Sequence, residues 1–292
     1  MRRRLSELNL IDDFLMTCVA SDPEVGEACC RRMLSVLLQR EITKVHITTQ
    51  RVILGVDTNL RGIRMDVEVE EKTRIDGAER VANIYDIEPH TRNDLDFPRH
   101  NRFYQAKIDG RHLKSGEADF GMLPNLYVIT ITNFDIFGED QMVYTFQNRC
   151  EEVPDLEYDD GLRFVYFNTK GQKGGSQAIR NMLDYIQDSE GAKVADEATR
   201  EIDSYVARVK ADPKLEEGVM TFGDCLDRER RDERVDVIKE LLEEKEKVPE
   251  SLSKRLTLIR NMDKLKRLTI VAAKVGSIRE FEEALDREMN PA

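Results

Sequence analysis

No stretch of the 292-residue chain approaches the roughly 20 consecutive apolar residues that a membrane-spanning helix requires, so no transmembrane segment is expected. The basic start, MRRRLSELNL, is followed by no apolar h-region, which argues against a secretory signal peptide. Cysteine is scarce. The five present (Cys18, Cys29, Cys30, Cys150, Cys225) make an odd number and form no CxxC pair. That argues against a disulfide framework and a zinc site, and makes a reducing cytoplasm the expected compartment. Positive charge is also short: 45 Lys and Arg face 57 Asp and Glu, for a formal net charge of −12. Residues 1–192 hold 24 basic and 33 acidic residues, and 193–292 hold 21 and 24. A nucleic-acid-binding protein normally shows a basic surface. An acidic chain keeps that option through a local basic stripe, or through a divalent cation that offsets clustered carboxylates. No internal repeat and no low-complexity tail is present.

What is present suits a soluble globular chain with long exposed helices, at 35% charged and 40% hydrophobic residues. The length allows one sizeable core and an appended module. Helical spacing marks Leu8 to Val19 and Val25 to Leu37, with Ser21-Asp22-Pro23 as a turn between them. Ile42 to Ile53 is rich in β-branched residues and reads as a strand. Leu95 to Lys114 reads as one helix, starting near Pro98. Leu126 to Phe134 is a continuous strand-like run expected to be buried. Gln141 to Phe146 and Leu162 to Asn168 read as further strands flanking an acidic loop, and Gln177 to Ile186 as an amphipathic helix. The order ααβββαβββα predicts an α/β domain, a mixed central sheet flanked by helices, over residues 1–192. From 193 to 292 the pattern is an all-helical module, with helices over 197–210, 215–242 and 252–289, the last interrupted at Gly276-Ser277.

The stretch Gly62–His90 concentrates the chemistry. Two strand-like runs, Ile63 to Val69 and Val81 to Glu88, flank a polar turn at Asp76-Gly77. Each holds a carboxylate among apolar neighbours, Asp66 and Glu88. Alternation puts Glu88 and His90 on one face with Pro89 between them on the other. A hairpin that sets Asp66 beside Glu88 would offer a hard divalent cation two carboxylates and the Pro89 carbonyl, in keeping with the few protein ligands magnesium takes. A cation so held can polarise a phosphoryl oxygen and lower the pKa of a bound water. His90, with an ordinary pKa of about 6.5, suits water positioning or proton transfer near neutral pH.

These residues resemble the PD-(D/E)XK nuclease superfamily, and within it the Rpn-type recombination-promoting nucleases and putative transposases. The matching segments are Arg64-Met65-Asp66-Val67, then Tyr85-Asp86-Ile87-Glu88-Pro89-His90, then the helix Arg102-Phe103-Tyr104-Gln105-Ala106-Lys107-Ile108-Asp109. The Leu113-Lys114-Ser115-Gly116 turn and the opening Leu8-Asn9-Leu10-Ile11-Asp12-Asp13-Phe14 match as well, so the likeness spans roughly residues 8–190. It implies a restriction-endonuclease-like core, dependence on magnesium (with manganese as a substitute), and hydrolysis of DNA phosphodiesters. Carried over, Asp66 and Glu88 are the metal acids. His90 occupies a position usually held by Lys or Gln, a departure that either tunes or abolishes activity.

Blander readings stand beside these. Taken alone, Asp66 and Glu88 would be carboxylates on an exposed strand face, and His90 a strand end. Asp86 shares the face of Glu88 and either joins the site or meets solvent. Arg102 and Gln105, three apart on one helix face, bind phosphate or a site carboxylate, or else make a helix–sheet ion pair. Asp12 and Asp13 read first as helix-capping residues. Lys254, Arg255, Arg260, Lys264, Lys266 and Arg267 form the best basic stripe, whose default is a solvated face. The function expected is a magnesium-dependent DNA endonuclease. The alternative is a catalytically weak relative that serves as a DNA- or protein-binding module. Amphipathic stripes in the helical module suggest homodimerisation.

Overall fold

The computed structural model describes residues 4–53, 63–75, 77–93, 95–112, 119–216, 231, 234–243, 245–259 and 261–289. Gly62, Asp76 of the hairpin turn, the Leu113–Gly116 turn, much of the helix expected over 215–242, and Arg260 lie outside them. The described chain divides into two compact units, one ending at Glu216 and the other beginning at residue 217.

The first unit is α/β. Helices α1 (Asp13–Ser21) and α2 (Gly26–Leu37) precede strands β1 (Lys44–Ile53), β2 (Ile63–Ile75) and β3 (Ala78–His90). Then come α3 (Phe97–Asp109), β4 (Asn125–Thr132), β5 (Val143–Phe146), β6 (Leu162–Asn168), α4 (Gln177–Gln187) and α5 (Glu197–Lys210). One six-stranded mixed sheet runs β1-β2-β3-β4-β6-β5. β1, β2 and β3 are antiparallel, β3, β4 and β6 are parallel, and β5 closes the far edge antiparallel to β6. Gly77 takes the left-handed φ of +79° that the tight β2–β3 turn demands. The return from β3 to a parallel β4 needs a crossover, and α3 supplies it. Pro98 occupies its first turn, where a missing N–H is tolerated, and the Asp96 side chain accepts from the Arg99 N–H at 3.3 Å.

β3 and β4 are central, so both faces are covered, and their residues 84–89 and 126–132 are buried except for Tyr127. Alternation sorts the contacts. Ile84, Leu126 and Val128 pack with Ile108 and Tyr104 of α3. Tyr85 and Tyr127, pointing the other way, meet the guanidinium of Arg40 at the end of α2, 5.5 Å from each ring. Thus α3 covers one face, while α1 and α2 lie on the other, against β1, with α4 and α5 behind them. Gly26 is required at the α1–α2 corner, where a Cβ would stand 2.3 Å from the Ala20 carbonyl oxygen. Because α5 packs on α1, α2 and α4, the division of the chain falls after Glu216 rather than after residue 192.

The second unit, described by itself, is helical: α6 (234–243), α7 (Glu250–Thr257), α8 (Met262–Lys274) and α9 (Ile278–Met289). Its core includes Ile238, Leu242, Leu256, Leu265, Leu268 and Phe281. The break between α7 and α8 is absent from the periodicity, yet Asn261 marks it by accepting from the Asp263 and Lys264 N–H groups. Among the described residues no helix is long and apolar enough to cross a membrane.

Candidate metal centre

The acids of the hairpin gather under α3. Glu68 of β2 lies directly opposite Asp86 of β3 in the antiparallel register, so their side chains share a face. Glu88 follows two residues on, paired with Thr130 of β4. The three are almost wholly buried, at 0%, 0% and 3% exposure for Glu68, Asp86 and Glu88. The polar face the sequence left open for Asp86 is therefore an interior one.

Asp66 reaches the cluster by a local irregularity. Gln50, in β1, has a left-handed φ of +52°. Residues three apart on a regular strand face opposite ways, yet Arg51 Nη2 donates to Thr48 Oγ1 at 2.9 Å. β2 changes face at the same level: Ile63 and Met65 pack with Ile84 and Ile108 under α3. At this crossing the Asp66 N–H donates to Glu88 Oε1 at 3.0 Å. The Asp66 carboxylate accepts from Gln50 Nε2 at 3.2 Å, and that same amide donates to Thr17 Oγ1 of α1 at 3.1 Å. The sequence-based juxtaposition of Asp66 and Glu88 thus exists, made by a backbone-to-side-chain bond.

The four acids differ in how they are balanced. Glu68 sits between Arg51, whose Nε is 3.1 Å from Oε1, and Arg111, just beyond α3, whose Nη2 contacts Oε2. Asp86 receives no N–H or O–H donor at either oxygen among the described residues. Its carboxylate faces Glu88, and the two bond to each other only by sharing a proton. Burial first, then the charges of Glu68 and Asp66, hold the Asp86 carboxyl well above its usual range. Burial first, then Asp86 and Asp66, do the same to Glu88. Burial also raises Glu68, outweighing the attraction of Arg111 and Arg51. Such shifts cluster at functional sites, where groups are held in states that water would not favour.

The donor set fits a hard divalent cation. Asp66 and Glu88 would supply carboxylate oxygens, and the Asp86 carboxyl beside Glu88 would add negative charge once a bound cation displaced its proton. Among the described residues no three His, Cys, Asp or Glu side chains converge closely enough to hold a metal ion unaided. Magnesium does not ask for that, since it is satisfied by one or two carboxylates with water and a carbonyl. Pro89, whose carbonyl is the third expected ligand, is buried in β3 opposite Ile131.

The remaining expected residues are placed as follows. His90, half-buried at the end of β3, presents its ring edge-on to Phe97 and His100, with centroids at 5.2 and 5.7 Å. His100 Nδ1 lies 3.1 Å from Asn101 Oδ1, and Asn101 Nδ2 donates to Thr130 Oγ1 at 2.9 Å, which ties α3 to β4 beside Glu88. Gln105 donates to Asp109 on its own helix, and Arg102 is exposed. Among the described residues neither is bonded to the acids, and no helix–sheet ion pair of Arg102 is seen. Asp12 precedes α1, but its carboxylate accepts from the Asn9 N–H at 2.8 Å and makes no cap bond within the helix. Asp13 accepts from Phe14.

The described members of the basic stripe of the second unit are all engaged within that unit. Lys254 pairs with Glu250, Arg255 with Asp286, Lys266 with Asp263 and Arg267 with Glu288, while Lys264 Nζ donates to the Glu288 carbonyl. Sequence reasoning missed Glu68, Arg51, Arg111, Gln50 and Asn101. Only Glu68 had a local signal, its place two residues after Asp66 on the same alternating face. No protein-family model, curated protein or solved structure matches this chain.

Proposed function

We propose that the first unit is a magnesium-dependent DNA endonuclease of PD-(D/E)XK type, related to the Rpn-type recombination-promoting nucleases, with manganese able to replace magnesium. One observation carries the reading: a buried acid cluster on the β2–β3 hairpin in which Asp86 has, among the described residues, no donor but the Glu88 carboxyl, and Glu88 is bound to the Asp66 backbone. Buried carboxylates are ordinarily paired or metal-bound. The order of the sheet, an antiparallel hairpin followed by a helical crossover into parallel β4, agrees with the expected core.

In this reading Asp66, Glu88 and the Pro89 carbonyl hold the cation. When bound, the cation would polarise the scissile phosphate and lower the pKa of an attacking water. Arg51 and Arg111 cancel the charge of Glu68, so the phosphodiester meets less repulsion at the cluster. T-shaped packing against Phe97 and His100 fixes the His90 ring, which orients the water or takes its proton. Exposed Arg102 contacts the DNA backbone, and Gln105 positions Asp109.

The test is incubation of supercoiled plasmid with magnesium or manganese, comparing wild type with Asp66→Ala and Glu88→Ala. Nicking by wild type that both variants lose supports the reading. No nicking by wild type, or equal nicking by all three, overturns it. The second reading, a weak relative acting as a DNA- or protein-binding module, draws on the aromatic seating of His90 where Lys or Gln is usual. Wild type that binds labelled duplex but cuts nothing favours it. Dimerisation through the helical unit is the accompanying proposal, with exposed Leu258 and Ile270 as the contact. Sedimentation should show a dimer that Leu258→Glu and Ile270→Glu convert to monomer.

A further inference from the structure

The two edges of the sheet are protected unequally. An exposed strand edge is a template for another strand, and proteins normally blunt it with charge, proline or a bulge. β1 is blunted by Lys44, Arg51 and the left-handed residue Gln50. β5, Val143-Tyr144-Thr145-Phe146, carries no charge and no proline, and among the described residues it pairs with β6 on one side only.

The loop after β5 compounds the difference. Every residue from 151 to 160 is exposed. Among the described residues ten large apolar side chains are exposed, and four of them fall here: Phe146, Val153, Leu156 and Tyr158. Such a concentration marks an interaction surface better than scattered apolar residues do. Phe146, Pro154, Leu156 and Tyr158 line a cavity of about 740 Å³ beside β5. Residues 146–163 hold six acids (Glu151, Glu152, Asp155, Glu157, Asp159, Asp160) against Arg149 and Arg163. Asp159 is paired with Arg163, and Asp160 accepts from Asn148 and the Leu162 N–H. Glu151, Asp155 and Glu157 have no hydrogen-bonded or ionic partner among the described residues.

We infer that β5 and the loop following it dock an extended segment of a partner protein, in which Lys or Arg alternates with aliphatic side chains. The segment adds as a strand to β5, and main-chain hydrogen bonds supply affinity. On a strand successive side chains face opposite ways. Aliphatic positions then enter the cavity at Phe146, Leu156 and Tyr158, while the intervening cations meet Glu151, Asp155 and Glu157. Charge complementarity of this kind chiefly sets partner choice and association rate. The surface is separate from the acid cluster, and the inference does not depend on nuclease activity.

The test is selection of random twelve-residue peptides displayed on phage against the full chain, with counter-selection on a Leu156→Ser/Tyr158→Ser double variant. Both side chains are exposed, so the variant should fold, which circular dichroism checks. The expected result is enrichment of peptides alternating Lys or Arg with Leu, Val or Ile. By fluorescence anisotropy their binding should weaken about tenfold or more in the double variant, in Glu151→Gln/Glu157→Gln, and when a central proline is placed in the peptide. Absence of enrichment over the variant overturns the inference, as do enriched peptides that are acidic or proline-rich. Sedimentation showing that this edge instead joins two copies of the chain, with the double variant monomeric, overturns it too.

Discussion

Glu71 and Asp86 are buried carboxylates of the same hairpin, on opposite faces of its sheet, and their surroundings contrast. Glu71 accepts from Arg40 Nη2 at 2.9 Å, Asn83 Nδ2 at 2.8 Å, the Tyr85 hydroxyl at 2.6 Å and the Thr43 N–H at 3.1 Å. Asp86 has no N–H or hydroxyl donor among the described residues, only the carboxyl of Glu88 with which it can share a proton. A buried charge is tolerated when donors surround it, and otherwise shifts its pKa and neutralises. Glu71 therefore behaves as a structural staple holding α2 to the hairpin. Asp86 and Glu88 form a cluster left incomplete by the protein alone. Burial is common to the two acids; the donor count is what separates them.

The contrast breaks most sharply on activity. Asp66→Ala or Glu88→Ala should reduce plasmid cleavage by on the order of 10³-fold, the loss of several kcal/mol of metal-assisted stabilisation. Their urea midpoints should stay close to wild type. Cleavage that survives either change would return the cluster to a structural role. Glu71→Ala should do the reverse. It strands Asn83, Tyr85 and Arg40, lowering stability by about 3 kcal/mol in urea titration, while the protein that remains folded cuts normally.

A smaller effect comes from Asp86. Its raised pKa and that of Glu88 mean the folded state keeps protons that free Asp and Glu release near 3.8 and 4.5. That stabilisation is complete below those values and is lost as pH rises through the higher folded-state pKa values. The metal-free protein should accordingly melt at lower temperature as pH is raised from about 5 towards 9. Magnesium should offset the fall most at the alkaline end, since binding displaces the protons. Asp86→Asn should flatten this dependence and add about 1 kcal/mol near pH 8 without metal, because its amide can donate to Glu88 or Glu68. Melting curves across pH, with and without magnesium, measure both, and identical slopes for wild type and variant would remove Asp86 from the cluster.

Much of this architecture is written in local patterns. The order of helices and strands through α5 follows from periodicity, and β6 and α5 have the bounds the sequence suggests. The short polar turn pairs the strands of Asp66 and Glu88, but the register that brings the two level depends on a one-residue shift at Glu71/Lys72 that the sequence does not announce. The rest depends on side chains far apart in sequence. Arg111 reaches Glu68 across 43 residues, and Arg40 reaches Glu71 across 31. No spacing rule anticipates either. The basic stripe of the second unit, whose expected default was a solvated face, hides its partners for the same reason: Asp286 and Glu288, which pair with Arg255 and Arg267, come from the next but one helix and the next.

The finest probe of the contrast is Gln50. Its left-handed φ of +52° carries a strain of order 1 kcal/mol in a residue that is not glycine. Its side chain recovers part of this through bonds to Thr17 and Asp66. Gln50→Gly relieves the strain and deletes both bonds, each contributing about 0.5–1.5 kcal/mol. Glycine also adds freedom to the unfolded chain. These terms nearly cancel, so the urea midpoint should shift by no more than about 1 kcal/mol. Cleavage should nonetheless fall several-fold, because the Asp66 carboxylate loses a group that orients it, and loss of an outer-shell partner weakens metal binding. Gln50→Ala keeps the strain and loses the bonds, so it should be the less stable of the two and equally slow. If both variants cut at the wild-type rate, Gln50 does not help to position Asp66, and its kink serves to blunt the β1 edge.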